Sequence, residues 1–103
     1  MATLSWEERP FITLEQMDVY SARDSKTARI YGPVVRAAEI SNRDYKYRYG
    51  KYSSERSMQP PPSSNIHIHA GYLVVRKLGT PDQYETWMPG DVFDDLYEIA
   101  SEP

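Results

Sequence analysis

The sequence predicts a small α+β fold in which an antiparallel sheet of three to five strands packs against an N-terminal helix and a C-terminal helix. Three observations predict this class. A helix-capping pattern lies near residue 13, two runs rich in β-branched residues follow, and apolar residues recur at helical spacing after residue 90. The length of 103 residues suits one domain, so we predict a single domain over residues 1–103.

The first part of the chain predicts an arm and then a helix. Residues 1–12 have the character of an irregular N-terminal arm. The four residues from Thr13 to Gln16 match a capping box, in which Thr13 accepts from the Gln16 amide and the Gln16 side chain reaches back to the Thr13 amide. We therefore predict a helix from about Thr13 to Ala22.

The next element is a strand within residues 29–40, interrupted or begun at Pro33. Proline cannot donate to a sheet ladder, so Pro33 belongs at the start of a strand or on an edge. Val34 and Val35 follow it and supply β-branched side chains, which favour a strand.

The middle of the chain predicts an extended segment and then an exposed loop. Residues 44–52 alternate aromatic with charged side chains, and an extended chain would place Tyr45, Tyr47 and Tyr49 on one face. Residues 53–64 contain three consecutive prolines, which favour polyproline II and exclude helix and central strand. We predict an exposed Pro/Ser-rich loop there.

The last third of the chain predicts a hairpin and a closing helix. Residues 66–78 have the strongest strand pattern, residues 79–82 have turn composition, and residues 83–87 return as the partner strand. Pro89 fits the first position of a helix that we expect to end near Ala100. The predicted core anchors of this unit are Leu73, Val75, Trp87, Phe93, Leu96 and Tyr97.

Composition excludes several classes of function. The net charge of −3 gives no support to general nucleic-acid binding, and the absence of cysteine rules out disulfides, thiol catalysis and cysteine-based zinc sites. The sequence has no Gly-rich phosphate loop and no nucleophile motif, so we expect neither enzymatic activity nor a cofactor. It also lacks a signal-peptide pattern and a membrane-length apolar run, so we expect a cytoplasmic protein without a membrane partner.

The basic and aromatic stretch of residues 43–56 is the best candidate for a contact surface. Cations beside stacking rings suit nucleotides or single strands, and tyrosine-lined surfaces suit protein interfaces. The purely structural interpretation is a solvated edge strand whose cations discourage aggregation. The candidate binding residues are Arg43, Tyr45, Lys46, Tyr47, Arg48, Tyr49, Lys51, Tyr52 and Arg56.

Two other groupings of polar residues have structural interpretations. His67 and His69 would share one strand face with a spacing that suits two metal ligands, but no third ligand lies nearby in the sequence, so we predict a polar strand face and no metal site. From Asp82 onward the chain contains acidic residues and no lysine or arginine. This charge split would permit head-to-tail self-association, or imitation of the charge of a nucleic acid toward a host protein, although an acidic helix face is more often simply solvated.

The C-terminal part resembles small bacteriophage and prophage accessory proteins. Their last part often consists of a glycine-led strand, a turn, a Trp-x-Pro step and a short helix with Phe and Tyr. The residues that carry the resemblance are Gly71–Val75, Trp87–Pro89, Phe93, Tyr97 and, more loosely, Val34–Ala37.

The resemblance implies a non-enzymatic protein that inhibits a bacterial host protein or defence complex by stoichiometric binding in the host cytoplasm. Two alternatives stay open. One is a small oligomer that sequesters a nucleotide-like signalling ligand, with Arg48, Lys51 and Tyr49 around the phosphates and base. The other is a structural or assembly component of a phage particle.

Overall fold

Five strands and three α-helices make up the part of the chain that the computed structural model describes, residues 8–62 and 67–100. The strands are β1 (Asp18–Ala22), β2 (Val34–Glu39), β3 (Gly71–Arg76), β4 (Tyr84–Pro89) and β5 (Tyr97–Ile99). The helices are α1 (Ser25–Tyr31), α2 (Asn42–Tyr52) and α3 (Gly90–Leu96). The predicted α+β class is confirmed, including the C-terminal helix.

The five strands form one antiparallel sheet in the order β4-β3-β2-β1-β5. The predicted hairpin is confirmed as β3 and β4, which pair from Gly71 opposite Pro89 to Arg76 opposite Tyr84. The chain then crosses to the far edge, where Tyr97 of β5 lies opposite Ala22 of β1. Residues distant in sequence therefore meet across the sheet.

Both faces of the sheet are covered, because successive side chains of a strand point to opposite sides. On one side, Leu73 and Val75 pack with Tyr45 of α2, and we call this the α2 face. On the other side, Val74 packs with Phe93 and Tyr97 around α3, and we call this the α3 face. The predicted core anchors Leu73, Val75, Phe93 and Tyr97 are buried, whereas Trp87 and Leu96 are half-buried.

The helix predicted from Thr13 to Ala22 is wrong beyond its first turn. The capping box is present, with the Thr13 amide donating to Gln16 Oε1 at 2.8 Å, but it begins only a one-turn 3₁₀ helix at Leu14–Gln16. The chain continues as β1 because β2 and β5 pair with it on both sides. The first α-helix starts later, at Ser25, where the Asp24 carboxylate accepts from the Thr27 amide at 2.7 Å.

The extended conformation predicted for residues 44–52 is also wrong, since this segment lies in α2. Ser41 caps the helix by accepting from the Asp44 amide at 3.1 Å. The buried residues Tyr45 and Arg48 are three apart, which is helical and not strand spacing. The segment that alternates aromatic and charged residues is therefore a helix, and its buried face contains one tyrosine, Tyr45, and one arginine, Arg48.

Several predicted bounds change, including the partner strand, which is Tyr84–Pro89 instead of residues 83–87, and the closing helix, which begins at Gly90 because Pro89 still belongs to β4. The prediction of a strand at Pro33 is confirmed by β2, but residues 29–31 belong to α1. The strand predicted for residues 66–78 begins at Gly71, residues 67–70 are not in a strand, and residue 66 lies outside the described residues. The closing helix ends at Leu96 instead of near Ala100, because Tyr97 adopts an extended conformation and joins the sheet as β5.

The Pro/Ser-rich segment is largely exposed over residues 53–62, while residues 63 and 64 lie outside the described part. It is nevertheless tied to the sheet, because Met58 forms an isolated parallel bridge with Glu85. The Glu85 amide donates to Ser57 at 3.0 Å, and the Gln59 amide donates to the Glu85 carbonyl at 2.8 Å. This segment therefore covers part of the outer edge of β4.

At the N-terminus, Arg9–Phe11 form a 3₁₀ turn within the predicted arm, whose first seven residues lie outside the described part. In residues 8–62 and 67–100, none of the helices has the length and apolar character required to cross a bilayer.

Candidate binding face of helix α2

Helix α2 divides the predicted binding residues between the interior and the surface. Tyr45 and Arg48 are 0% and 1% exposed, and Tyr49 is half-buried against the core of the α2 face. The exposed members are Arg43, Lys46, Tyr47, Lys51 and, beyond the helix, Arg56. The sequence pattern predicts residues 43–56 as one contact segment, whereas the structure divides this segment into buried residues that hold α2 on the sheet and exposed residues that a partner can reach.

Arg48 holds three segments of the chain together. Its Nε donates to Glu85 Oε1 at 2.6 Å and its Nη2 donates to Glu85 Oε2 at 3.1 Å. Its Nη1 donates to the carbonyls of Ile12 and Pro10 at 2.6 and 3.2 Å. Because these groups use the guanidinium inside the protein, Arg48 is not available to a surface ligand in this structure.

Tyr45 anchors the Pro/Ser-rich segment from below. Its hydroxyl donates to the Gln59 carbonyl at 2.5 Å and also points to the Glu85 carbonyl at 3.4 Å. Burial, with a smaller contribution from the Glu85 charge, raises the pKa of this phenol well above its ordinary value. Tyr45 therefore acts as a neutral donor that positions the backbone beside β4.

The exposed surface of α2, which we call the basic face, consists of Arg43, Lys46, Tyr47 and Lys51. Spacings of three and four residues bring these side chains to one side of a helix. Arg43 Nη2 donates to the Tyr47 hydroxyl at 3.4 Å, and its Cζ lies 5.9 Å from the Tyr47 ring centroid. With 55% of its surface exposed, Tyr47 is the most accessible ring of this helix.

A second group of cations and rings lies at the C-terminal end of α2. Arg56 Cζ lies 3.9 Å from the Tyr52 ring centroid, and Lys51 Nζ lies 4.7 Å from the Phe11 ring centroid. The two rings meet edge to face at 6.3 Å. Phe11 lies outside the site predicted from the sequence, because nothing in its neighbourhood along the chain indicates that the arm returns to α2.

The basic face has an excess of positive charge. In the described ranges, no carboxylate lies within ion-pair distance of Arg43, Lys46 or Lys51. Arg56 pairs at 3.4 Å with Glu85, whose charge is already shared with Arg48. On the opposite side of the sheet, α3 exposes Asp91, Asp94 and Asp95. The exposed cations of α2 and the exposed carboxylates of α3 thus lie on opposite sides of the sheet.

The two histidines lie in an exposed segment beside the start of α2. Their rings are 6.2 Å apart, and the Asn42 side chain donates to the His67 carbonyl and accepts from the His69 amide. Over residues 8–62 and 67–100, the structure has no group of three or more His, Asp or Glu residues arranged to hold a metal ion. The Asn42 side chain thus holds the backbone of His67 and His69 beside α2.

No protein-family model matches the chain, and neither the curated proteins nor the solved structures contain a significant match.

Proposed function

We propose that this protein acts by stoichiometric binding to an acidic surface of a bacterial protein, and that the basic face of α2 is the contact surface. The observation that carries the proposal is the exposed Tyr47 ring among three cations that have no carboxylate partner in the described part of the chain. Tyr and Arg are enriched at protein interfaces and among the residues that dominate binding energy.

The interior contacts that hold α2 in place favour its use as a contact surface. Arg48 fixes α2 to β4 through Glu85, so the helix is held by an interior contact. The contact between Arg43 and Tyr47 restricts both side chains before a partner arrives. Preorganised side chains lose less conformational entropy on binding, and unpaired cations steer an acidic partner toward the surface.

The resemblance of residues 71–97 to phage accessory proteins supports a host protein or defence complex as the target, and inhibition as the result of binding. Those proteins act without catalysis, and the proposed contact surface likewise requires no reacting group. The host cytoplasm would then be the place where the protein meets its target.

The proposal is tested by gentle purification of the full chain from bacterial cells, followed by native mass spectrometry. We expect a co-purifying protein in a fixed ratio to the chain, lost in Tyr47→Ala and in the triple variant Arg43→Glu/Lys46→Glu/Lys51→Glu. Val92→Ala, an exposed position on α3, is the matched control and should keep the partner. A partner retained by both α2 variants would contradict the proposal.

A second candidate function is sequestration of a nucleotide-like ligand, and the group of Phe11, Lys51, Tyr52 and Arg56 favours it. Cations beside ring faces suit phosphate and base together. Since Arg48 is used internally, Arg56 is the better candidate phosphate partner beside Lys51. In the same mass spectra, an added mass of a small molecule that disappears in Lys51→Glu/Arg56→Glu would select this function. Large complexes of the chain alone would instead favour a phage assembly component.

A further inference from the structure

Arg76 in β3 is a second buried arginine, with only 8% of its surface exposed. Its side chain lies on the α3 face, on the side of the sheet opposite to Arg48. It is two residues from Val74 in β3, and alternate residues of a strand point to the same side. In residues 8–62 and 67–100, no carboxylate lies within ion-pair distance of its guanidinium. Among the residues that the structure describes, the buried charge of Arg76 therefore has no negative counterpart.

The contacts of Arg76 are long and come from neutral groups. Its Nε donates to the Tyr97 hydroxyl at 3.2 Å, and its Nη1 donates to the Tyr84 hydroxyl at 3.4 Å. Its Nη2 lies 3.4 Å from Met88 Sδ, a weak acceptor. The Tyr31 ring centroid lies 3.7 Å from Cζ and covers one side of the guanidinium plane.

Arg48, the other buried arginine, has the carboxylate partner that Arg76 lacks among the described residues. Arg48 is paired with both oxygens of Glu85, and its shortest contact is 2.6 Å. Charge-assisted hydrogen bonds to carboxylates are typically about 2.7–2.9 Å long and roughly twice as strong as neutral ones. An arginine side chain does not lose its proton in proteins, so burial leaves the charge of Arg76 in place. Buried charges are ordinarily paired, which makes an anion the expected complement.

The surrounding tyrosines are suited to the same anion. A hydroxyl that accepts a hydrogen bond from Arg76 keeps its own proton, so Tyr84 and Tyr97 can each donate to a further oxygen atom. Tyr31 and Tyr84 are half-buried, so the group borders the surface where the end of α1 meets the end of β3, with the Lys77 amide donating to the Tyr31 carbonyl at 3.0 Å. The guanidinium and hydroxyl protons thus meet over the α3 face at one end of the sheet.

We propose that Arg76, together with the hydroxyls of Tyr84 and Tyr97, binds a small oxyanion, either a carboxylate or a phosphate group. The planar guanidinium can donate two parallel hydrogen bonds to either group, while Tyr31 stacks on its side. This site lies on the α3 face and is independent of the contact surface on α2. A result at one site therefore leaves the proposal for the other unaffected.

The test uses the full chain and two probes, inorganic phosphate and acetate, each titrated against sodium chloride of equal ionic strength. Two-dimensional amide NMR and thermal unfolding are the readouts. We expect saturable shifts centred on residues 76, 84 and 97, with a rise in Tm, for at least one probe. The probe that binds more tightly identifies the ligand class.

Variants decide whether the binding belongs to this site. Arg76→Met should abolish the saturable response, whereas Arg43→Met, the same change on the basic face, should preserve it. If Arg76→Met fails to fold, Tyr84→Phe removes one donor and keeps the guanidinium, and we expect about tenfold weaker binding. The proposal is overturned if neither probe saturates beyond the chloride control, if binding survives Arg76→Met, or if Tyr84→Phe leaves the affinity unchanged.

Discussion

Arg48 of α2 and Glu85 of β4 form a bidentate ion pair in the interior, although 36 residues separate them along the chain. Glu85 also accepts from Arg56 at 3.4 Å, and its backbone holds both Ser57 and Gln59. One residue of the edge strand thereby connects α2 with the Pro/Ser-rich segment.

Loss of the interior ion pair should strongly destabilise the protein. Arg48→Met leaves the Glu85 carboxylate in the interior with its weaker contact to Arg56. Breaking a buried pair from one side typically lowers the free energy of unfolding by about 3–5 kcal/mol. Urea denaturation followed by tryptophan fluorescence measures the loss. Arg43→Met, on the exposed side of α2, is the control and should keep the wild-type midpoint; equal midpoints for both variants would refute a stabilising role for Arg48.

Removal of the Tyr45 hydroxyl should loosen the segment beside β4. Tyr45→Phe retains the ring in the core but deletes the donor to the Gln59 carbonyl. We expect a loss of about 1 kcal/mol in the free energy of unfolding and faster hydrogen exchange at the Gln59 and Glu85 amides. Tyr47→Phe makes the same change on the surface and should leave exchange at these amides unaltered. Unchanged protection in Tyr45→Phe would show that the backbone bridge holds without the hydroxyl.

Two glycines should respond in opposite directions to the same substitution. A Cβ at Gly71 would collide with the Trp87 ring and the Met88 carbonyl, because β3 and the indole lie in direct contact there. Gly71→Ala should therefore lower Tm markedly. Gly50 lies in α2 with no atom within 4 Å of an added Cβ, so Gly50→Ala should stabilise the helix by about 0.5–1 kcal/mol. Calorimetry of both variants checks the pair, and a neutral Gly71→Ala would disprove the close packing at Trp87.

High pH should unfold the protein. Burial is the largest cause of raised pKa values for the phenols of Tyr20, Tyr45, Tyr72 and Tyr97, whose ordinary value is 10.0. The folded state therefore holds these protons more tightly than the unfolded state. The resulting stability is complete below about pH 10 and is lost as the pH rises above that value.

Phenolate absorbance and far-ultraviolet circular dichroism, recorded along one alkaline titration, test this pH dependence. We expect these four phenols, two of them buried and two half-buried, to ionise together with the loss of secondary structure. Tyr45→Phe, compared with wild type, should show a shallower decline in stability above pH 10. Complete ionisation of the tyrosines with secondary structure intact would contradict the prediction.

Several elements could be predicted from local sequence because the signals that specify them are local. The turn at residues 79–82 lies between two β-branched or aromatic runs, so the β3–β4 hairpin follows from neighbouring residues. Pro33 marks the start of β2 for the same reason, since its ring forbids one ladder hydrogen bond wherever it occurs. The anchors Leu73, Val75 and Phe93 follow from periodicity within one element.

The helical conformation of the tyrosine-rich segment depends on contacts with residues outside that segment. Alternating rings and cations satisfy a strand pattern, but the Ser41 cap and the position of Glu85 make the helical arrangement the favourable one. Similarly, the capping box at Thr13 is real, yet the pairing of β1 with β2 and β5 outweighs continuation of the helix. Sheet partners far along the chain override local propensity.

The sequence by itself determined the α+β class, the hairpin, the start of β2 and the segment that supplies the exposed cations of α2. Only the tertiary structure decided that Arg48 supports this surface instead of belonging to it, and that Arg76 is buried beside three tyrosines. The physical reason is that the burial and pairing of a charge depend on groups brought from distant parts of the chain. Local spacing fixes which side chains share a helix or strand face, but it does not specify what that face will meet.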